Sequence, residues 1–269
     1  MKVTVVIPTY NRTSELERAI KSIVNQEFSS IEVIVVDDGS NEETKEFYKG
    51  LLKKYEFHLL FRESGPKGAN QCRTIGFEQA SGEYIKWLDS DDELINGALL
   101  KQVEVLDASN FDVTVSNAEV YNRKLGDEPV MVKLWSKRIQ SNNLLEDYIK
   151  GNVRWPSGAP LWRKSYFSES PYDVRQFNSQ EWLMHCTVIA KKPNVHYAER
   201  PTAAINYEDN RMSSYWNRNA TYFYNQMKAR WRLMNKVQLP LRLKLLLLKY
   251  MLVYVYHACY AKVFGRPMQ

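Results

Sequence analysis

The sequence predicts an α/β fold with a mostly parallel central sheet, helices on both faces and a C-terminal helical tail. Two observations carry this. Short apolar runs alternate with stretches of helical period from residue 2 to residue 88, as strand, helix, strand, helix, strand, helix, strand. Three of those strands run out into Thr9-Tyr10, Asp37-Asp38 and Asp89 to Asp92, which puts all these groups at one sheet edge. In such sheets ligands sit outside the carboxyl ends of the strands.

Lys2-Val-Thr-Val-Val-Ile-Pro8 reads as the first strand, and a helix follows from near Thr13, with Leu16, Ala19, Ile20, Ile23 and Val24 on one face. Ile31-Glu-Val-Ile-Val-Val-Asp-Asp-Gly-Ser40 is a second strand that ends in a carboxylate pair and a glycine turn. Gly68-Ala-Asn-Gln-Cys-Arg-Thr-Ile-Gly76 opens the helix leading to a further buried strand. That strand, with Tyr84, Ile85, Trp87 and Leu88, runs straight into Asp89, Asp91 and Asp92. Carboxylates crowded at a strand end repel one another unless a cation or hydrogen-bond donors offset them. Oxygen-only ligands suit a hard divalent ion, Mg²⁺ or Mn²⁺, which would also hold a diphosphate. The plainer alternative is a solvated acidic turn that caps the next helix.

Val6-Ile-Pro-Thr-Tyr-Asn-Arg12, Val36-Asp-Asp-Gly-Ser40, the Gly68-to-Gly76 segment and Leu88-Asp-Ser-Asp-Asp92 resemble, in order, the successive motifs of family 2 glycosyltransferases of the GT-A fold, a Rossmann-like nucleotide-diphospho-sugar transferase architecture. The resemblance is closest over residues 1–120 and weaker to about 214. The family often has Ala-Arg-Asn where this chain reads Cys72-Arg73-Thr74. The resemblance implies a nucleotide-sugar site built from Pro8, Thr9, Tyr10, Arg12, Asp38, Arg73, Asp89, Ser90 and Asp91. Tyr10 would stack on a uracil ring and Asp38 would accept its imide N–H. Arg12 and Arg73 would meet the base or the diphosphate, since a planar guanidinium matches such oxygens; ordinary surface arginines are the alternative. Asp37 would bind or simply order its turn. Asp91 and Asp92 are the expected metal ligands, with Asp92 either a direct ligand or a support behind one.

Glycosyl transfer also needs a base for the acceptor hydroxyl, across the sugar from the leaving diphosphate. In the family that group is usually the aspartate of a Glu-Asp-Trp-like motif opening a helix. Gln180-Glu-Trp-Leu-Met-His185 stands at the matching place, so Glu181 is the expected base and Gln180 occupies a position where the family commonly has an acid. A helix-terminal Glu that only complements the dipole is the alternative. Trp155 and Trp162 bracket a turn-rich loop and would either stack on sugar faces or pack the loop on the core. Arg211 is an expected substitute for a family histidine near the diphosphate, missing here, with Tyr207 nearest its place.

Charge divides the chain unevenly. It carries 37 Lys and Arg against 31 Asp and Glu, and no acid follows Asp209. Residues 210–269 hold 11 of the basic residues, leaving a net −5 in the first 209. The expected division is a catalytic domain over 1–214, with a nucleotide-sugar half (1–120) and an acceptor half (121–214), and a basic helical tail over 215–269. Lys228, Arg232 and Lys236 form an i, i+4, i+8 stripe, and the apolar run from Leu241 is interrupted by Arg242, Lys244, Lys249 and His257. A spanning helix is therefore not expected. An anionic membrane surface is the expected partner of the tail, with packing on the domain or a second subunit as the alternative. Nucleic acid is not expected, because the tail lacks a recognised motif and the acidic body repels phosphates.

Met1 leads directly into the first strand, so no signal peptide is expected. Cys72, Cys186 and Cys259 show no pairing pattern, and His58, His185, His196 and His257 form no zinc motif, consistent with reduced thiols and structural histidines. Strand one is followed by Thr-Tyr-Asn-Arg and not by a Gly-x-Gly-x-x-Gly turn, which excludes a nicotinamide fingerprint. The expectation is an inverting, metal-dependent transferase that moves a sugar from a UDP-sugar to a polyprenyl-diphosphate-linked saccharide in bacterial surface-polysaccharide (O-antigen or capsule) synthesis. It would be cytoplasmic and peripheral on the inner face of the cytoplasmic membrane. The alternatives are a sugar nucleotidyltransferase and a non-catalytic nucleotide-sugar-binding assembly subunit.

Overall fold

The computed structural model describes residues 2–123, 129–207 and 219–264. The first half follows the expected alternation: β1 (Val3–Thr9), α1 (Ser14–Val24), β2 (Ile31–Asp37), α2 (Glu42–Leu51), β3 (His58–Phe61), α3 (Ala69–Gln79) and β4 (Tyr84–Trp87). Then come β5 (Glu93–Leu94), α4 (Ala98–Asp107), β6 (Val113–Val115), β7 (Ala118–Asn122), β8 (Val130–Leu134), α5 (Leu144–Lys150), β9 (Leu161–Arg163), α6 (Gln180–Ile189), β10 (Val195–Tyr197) and β11 (Ala203–Tyr207). Two long helices follow, α7 (Ala220–Lys236) and α8 (Leu241–Phe264).

A seven-stranded sheet runs in the order β10-β6-β9-β4-β1-β2-β3, and only β9 is antiparallel to its neighbours. β1 lies at its centre, with Val3 in register with both Ile31 and Tyr84. All seven β1 residues are buried, because helices cover both faces; such a strand is mostly apolar, and its two threonines, Thr4 and Thr9, both hydrogen-bond through their hydroxyls. β2 continues the chain on one side of β1 and β4 on the other, so the strand order reverses at the β1–β4 gap. The turns that follow Thr9 and Trp87 lead to that crevice, where such folds bind ligands. A smaller sheet, β5-β11-β7-β8, stands beside it.

Side chains alternate between two cores. Val3, Val5 and Ile7 pack with Leu16, Ile20 and Ile23 of α1, while Val6, Ile34 and Trp87 pack with Cys72, Leu183 and Met184 on the opposite face. α3 lies so close to β1 that a Cβ on Gly76 would stand 2.3 Å from Val6 Cγ1, so only glycine fits there. Lys86 of β4 is wholly buried, and its ammonium donates to the carbonyls of Gly158 (2.8 Å), Ala159 (3.0 Å) and Pro160 (3.3 Å). Burial without a carboxylate partner pushes its pKa down to about 7. Those bonds tie the loop after Trp155 to the sheet. Trp155 and Trp162 accordingly belong to the larger core, 3% and 0% exposed, with the Trp155 indole N–H donating to the Ile139 carbonyl at 2.7 Å. Their alternative role, packing the loop, is the one the structure gives, and neither offers a face to a sugar.

The tail is more closely joined to the body than its charge suggests. Leu233, Leu239, Leu243 and Leu247 are buried in the same core as Trp87 and Leu183. Two of the three stripe residues are engaged with the domain. Lys236 pairs with Asp173 at 3.2 Å, and Arg232 donates to the Gln176 side chain (2.5 Å) and the Arg175 carbonyl (2.8 Å). Asp173 is buried, and a buried carboxylate needs such counter-charges. The basic stripe is therefore a docking face toward the domain and not a membrane face.

Candidate active site

The crevice is organised by turns at the ends of β1 and β2. Asn11 takes a positive φ of 47°, its N–H donates to Ser40 Oγ (2.8 Å), and its side chain accepts the Asn41 N–H (3.0 Å). Thr9 is buried and hydrogen-bonds the Tyr48 hydroxyl at 3.0 Å. Asp37 is fully buried and accepts from the N–H groups of Gly39 and Ser40 and from the Ser40 hydroxyl. Of its two expected roles, ordering the turn is the one its geometry serves. Tyr10 projects outward, 45% exposed, with the Lys67 ammonium 3.8 Å from its ring centre.

Asp38 faces a partner that sequence reasoning missed. Its Oδ1 accepts from Arg62 Nε (2.6 Å) and from the Gly68 N–H (3.1 Å). Arg62 follows β3 directly, so the strand-end rule applied to His58–Phe61 would have found it. Arg12 contacts Glu15 (3.1 Å) and lies 3.6 Å from Asp91 Oδ2.

Arg73 is the hub of the site. It is 3% exposed, and one terminal nitrogen stands 2.7 Å from Asp89 Oδ1 and 3.0 Å from Glu181 Oε1. The other donates to Asn70 Oδ1 (3.2 Å) and Gln180 Oε1 (3.0 Å), and the guanidinium lies over the Tyr172 ring at 4.9 Å. Burial alone would weaken its charge; Tyr172, Glu181 and Asp89 more than offset this and hold its pKa above the usual arginine value. These contacts engage Arg73 with the protein's own carboxylates and amides. The same fork joins the end of β4 to the first turn of α6. Asp89 and Glu181, expected from separate motifs, thus share one nitrogen, and each keeps about a third of its side chain exposed (32% and 33%).

Gln180 is buried, and its amide also donates to the carbonyls of Gln176 (3.3 Å) and Phe177 (2.9 Å). It anchors the start of α6 and does not face the crevice as an acid equivalent would. His185, one turn beyond Glu181, is buried with Nδ1 2.6 Å from the Tyr148 hydroxyl. Burial, aided by the nearby Arg73 charge, pushes it down to about 3, so it is a neutral structural histidine, as expected.

The acidic loop divides its carboxylates. Asp92 is buried, its Oδ1 accepting the Asn206 N–H at 3.2 Å, and the Asn206 side chain donates to the Asp91 carbonyl at 3.0 Å. Asn206 on β11 had no signal in sequence, since its partners lie more than a hundred residues away. Ser90 is buried as well, whereas the Asp91 side chain keeps 15% of its surface. Among the described residues no three His, Cys, Asp or Glu side chains close around a metal by themselves. A hard cation takes carboxylate oxygens and completes its shell with phosphate and water, and Asp89 and Asp91, whose side chains keep part of their surface, have the donor chemistry for such an ion. Arg211 lies outside the described residues, and Tyr207 ends β11 with its side chain exposed.

Comparison with known proteins identifies the fold and the family. A β-1,3-glucosyltransferase of Campylobacter jejuni that acts on GalNAc(5)-diNAcBac-PP-undecaprenol is 43% identical over 99 residues, covering 36% of this chain and 32% of that protein. The chain spans less than half the length of the first curated relatives it matches. Staphylococcus aureus TarS residues 1–349, solved with UDP-GlcNAc, superposes with a TM-score of 0.65 at 16% identity, over 97% of this chain and 73% of that one. The mannosyltransferase PcManGT of Pyrobaculum calidifontis, solved with GDP-Man and Mn²⁺, gives a TM-score of 0.61 at 13% identity, over 98% and 76%. The fold is thus GT-A-like, with a mostly parallel sheet and C-terminal helices. The model described as glycosyl transferase family 2 matches residues 4–167, and the chain belongs to that family.

Proposed function

We propose that the chain transfers a sugar, with inversion, from a UDP-sugar to a lipid-linked saccharide. The observation that carries this is the Arg73 fork, which holds a half-open acceptor-side carboxylate, Glu181, beside the strand-end carboxylate Asp89. Glu181 takes the proton of the acceptor hydroxyl, the oxygen bonds to the anomeric carbon, and the bond to the diphosphate breaks with its electron pair leaving on the diphosphate. Tyr10 supplies a stacking face for the base, and Asp38 and Arg62 stand at the same edge for its polar groups. A divalent cation, Mg²⁺ or Mn²⁺, held by Asp91 and Asp89 would supply neutralising charge to the diphosphate. Asp92, occupied by Asn206, fits a support behind that pair. The UDP-GlcNAc-bound and Mn²⁺-bound relatives in fold support the donor and metal classes, and the C. jejuni protein's undecaprenol-linked substrate supports the acceptor class.

Calorimetric titration with UDP, GDP, dTDP and CMP tests the donor side. UDP is expected to bind best, and at least about tenfold more weakly in EDTA, a difference of about 1.4 kcal/mol. Preference for GDP would move the donor class, and no binding by any of the four would sink the proposal.

For the tail we propose peripheral contact with an anionic bilayer, through a different face from the basic stripe. Leu241, Leu245, Leu248, Leu252, Tyr256 and Val263 lie along one side of α8 and are exposed, opposite the buried Leu243 and Leu247. Exposed Lys244, Lys249 and Lys262 accompany them. No helix of the described residues is long and apolar enough to cross a membrane. Leu245→Glu with Leu252→Glu is expected to weaken co-sedimentation with phosphatidylglycerol vesicles by roughly tenfold or more. Wild-type protein that ignores vesicles but sediments as a dimer, and as a monomer once substituted, would make this stripe a seam between two copies instead.

A further inference from the structure

The edge of the smaller sheet carries features that the donor site and the base do not use. β8 is its terminal strand, and every residue from Val130 to Trp135 is exposed, among them Val130 (44%), Val132 (46%), Leu134 (48%) and Trp135 (42%). Exposed apolar edge strands invite wrong pairing and are usually blunted or covered, so one that the described residues leave uncovered is a candidate binding surface. The strand leads directly into a cleft of about 630 Å³ lined by Trp135, Lys137, Arg138, Asn152 and Arg154. All three cations are exposed, and none forms an ion pair among the described residues. No acidic residue lines the cleft; the neighbouring Asp147 accepts from the Ser141 hydroxyl and from Asn152 Nδ2 at 2.9 Å, and the Arg138 charge helps hold it ionised without closing an ion pair.

The cleft is linked through Trp155 and Tyr148 to the helix that carries the base. Its Arg154 N–H donates to the Arg138 carbonyl (3.3 Å), closing one wall on the other. The next residue, Trp155, donates its backbone N–H to the Tyr148 hydroxyl (3.3 Å), which meets His185 one turn after Glu181. An apolar strip continuous with a tricationic pocket is complementary to one kind of molecule: an apolar chain ending in a phosphate or diphosphate ester.

We propose that this cleft binds the phosphate or diphosphate of the acceptor lipid, with the apolar chain lying along β8 and the saccharide reaching toward Glu181. This rests on the lipid-linked acceptor proposed above and adds where that lipid is held. It also assigns Lys137, Arg138 and Arg154 a specificity role separate from the donor site.

The probe is farnesyl diphosphate in dilute detergent, titrated calorimetrically against the full chain beside inorganic diphosphate, farnesol and UDP. Wild-type protein is expected to bind farnesyl diphosphate at least about tenfold more tightly than inorganic diphosphate or farnesol, because both halves of the surface are engaged. The Lys137→Gln, Arg138→Gln, Arg154→Gln triple variant is expected to lose about tenfold or more of that affinity with UDP binding unchanged. Arg154→Gln alone, at an exposed position that leaves the fold intact, is expected to show a smaller loss in the same direction. Equal affinity in wild-type and variant proteins would overturn the proposal, and so would competition between UDP and farnesyl diphosphate, which would put the probe in the donor site. Failure of UDP itself to bind would strike the proposed function and leave the cleft's comparison of wild type with variant readable on its own.

Discussion

Glu181→Gln is expected to lower turnover by at least roughly 10², the usual worth of a positioned general base, while UDP affinity stays within about twofold. The amide is nearly isosteric, and its oxygen still accepts from Arg73, so the Arg73 fork and the start of α6 keep their shape. What it loses is the ability to take a proton. Turnover is read as UDP released from a UDP-sugar in the presence of a prenyl-diphosphate-linked saccharide. Glu181→Asp sharpens the reading: it keeps the carboxylate but pulls it back by one methylene, and is expected to fall between wild type and Glu181→Gln. A Glu181→Gln enzyme as fast as wild type would remove Glu181 from the mechanism. A wild-type protein that binds UDP and turns nothing over would favour a non-catalytic binding subunit.

The nucleotide half of the fold was legible because its signals are local. β1, β2 and β4 are largely buried and read as mostly apolar runs, with Thr4, Glu32 and Lys86 the polar exceptions inside them, and the polar groups that follow each of them fall at one edge by the geometry of a parallel sheet. What the sequence left open has a different cause. Trp155 and Trp162 sit among Pro156, Gly158 and Pro160, which announce a loop but not the direction of its side chains; the buried Lys86 that pulls this loop inward lies some seventy residues earlier in the chain. Arg73 stands out in its motif as a site arginine, but its partners stay hidden until Asp89, Gln180 and Glu181 are brought to it from 16, 107 and 108 residues away. Lys228, Arg232 and Lys236 form a clean helical stripe, and nothing in that local pattern reveals Asp173 beneath two of its members. Periodicity shows that a face exists, whereas what covers it is decided by pairings remote in sequence.

Arg73 is where that remote pairing matters most, and its replacement is expected to separate charge from geometry. Arg73→Met leaves Asp89 and Glu181 side by side with no cation between them, and strips Gln180 and Asn70 of a donor. Breaking a buried ion pair costs about 3–5 kcal/mol, and the partial exposure of both carboxylates places this change near 3 kcal/mol, with a Tm lower by roughly 8 °C. Arg73→Lys keeps the positive charge and its attraction to both acids, so it is expected to recover part of that stability. A single ammonium cannot reproduce a planar fork that serves Asp89 and Glu181 on one nitrogen and Asn70 and Gln180 on the other. Glu181 is then held at the wrong place, and turnover is expected to remain about 10² below wild type even where the protein is folded and binds UDP. Thermal melting and steady-state kinetics on the two variants read these effects separately. If Arg73→Lys melted below wild type but turned over at the full rate, charge alone would be enough, and the fork would be a device of folding with no part in placing the base.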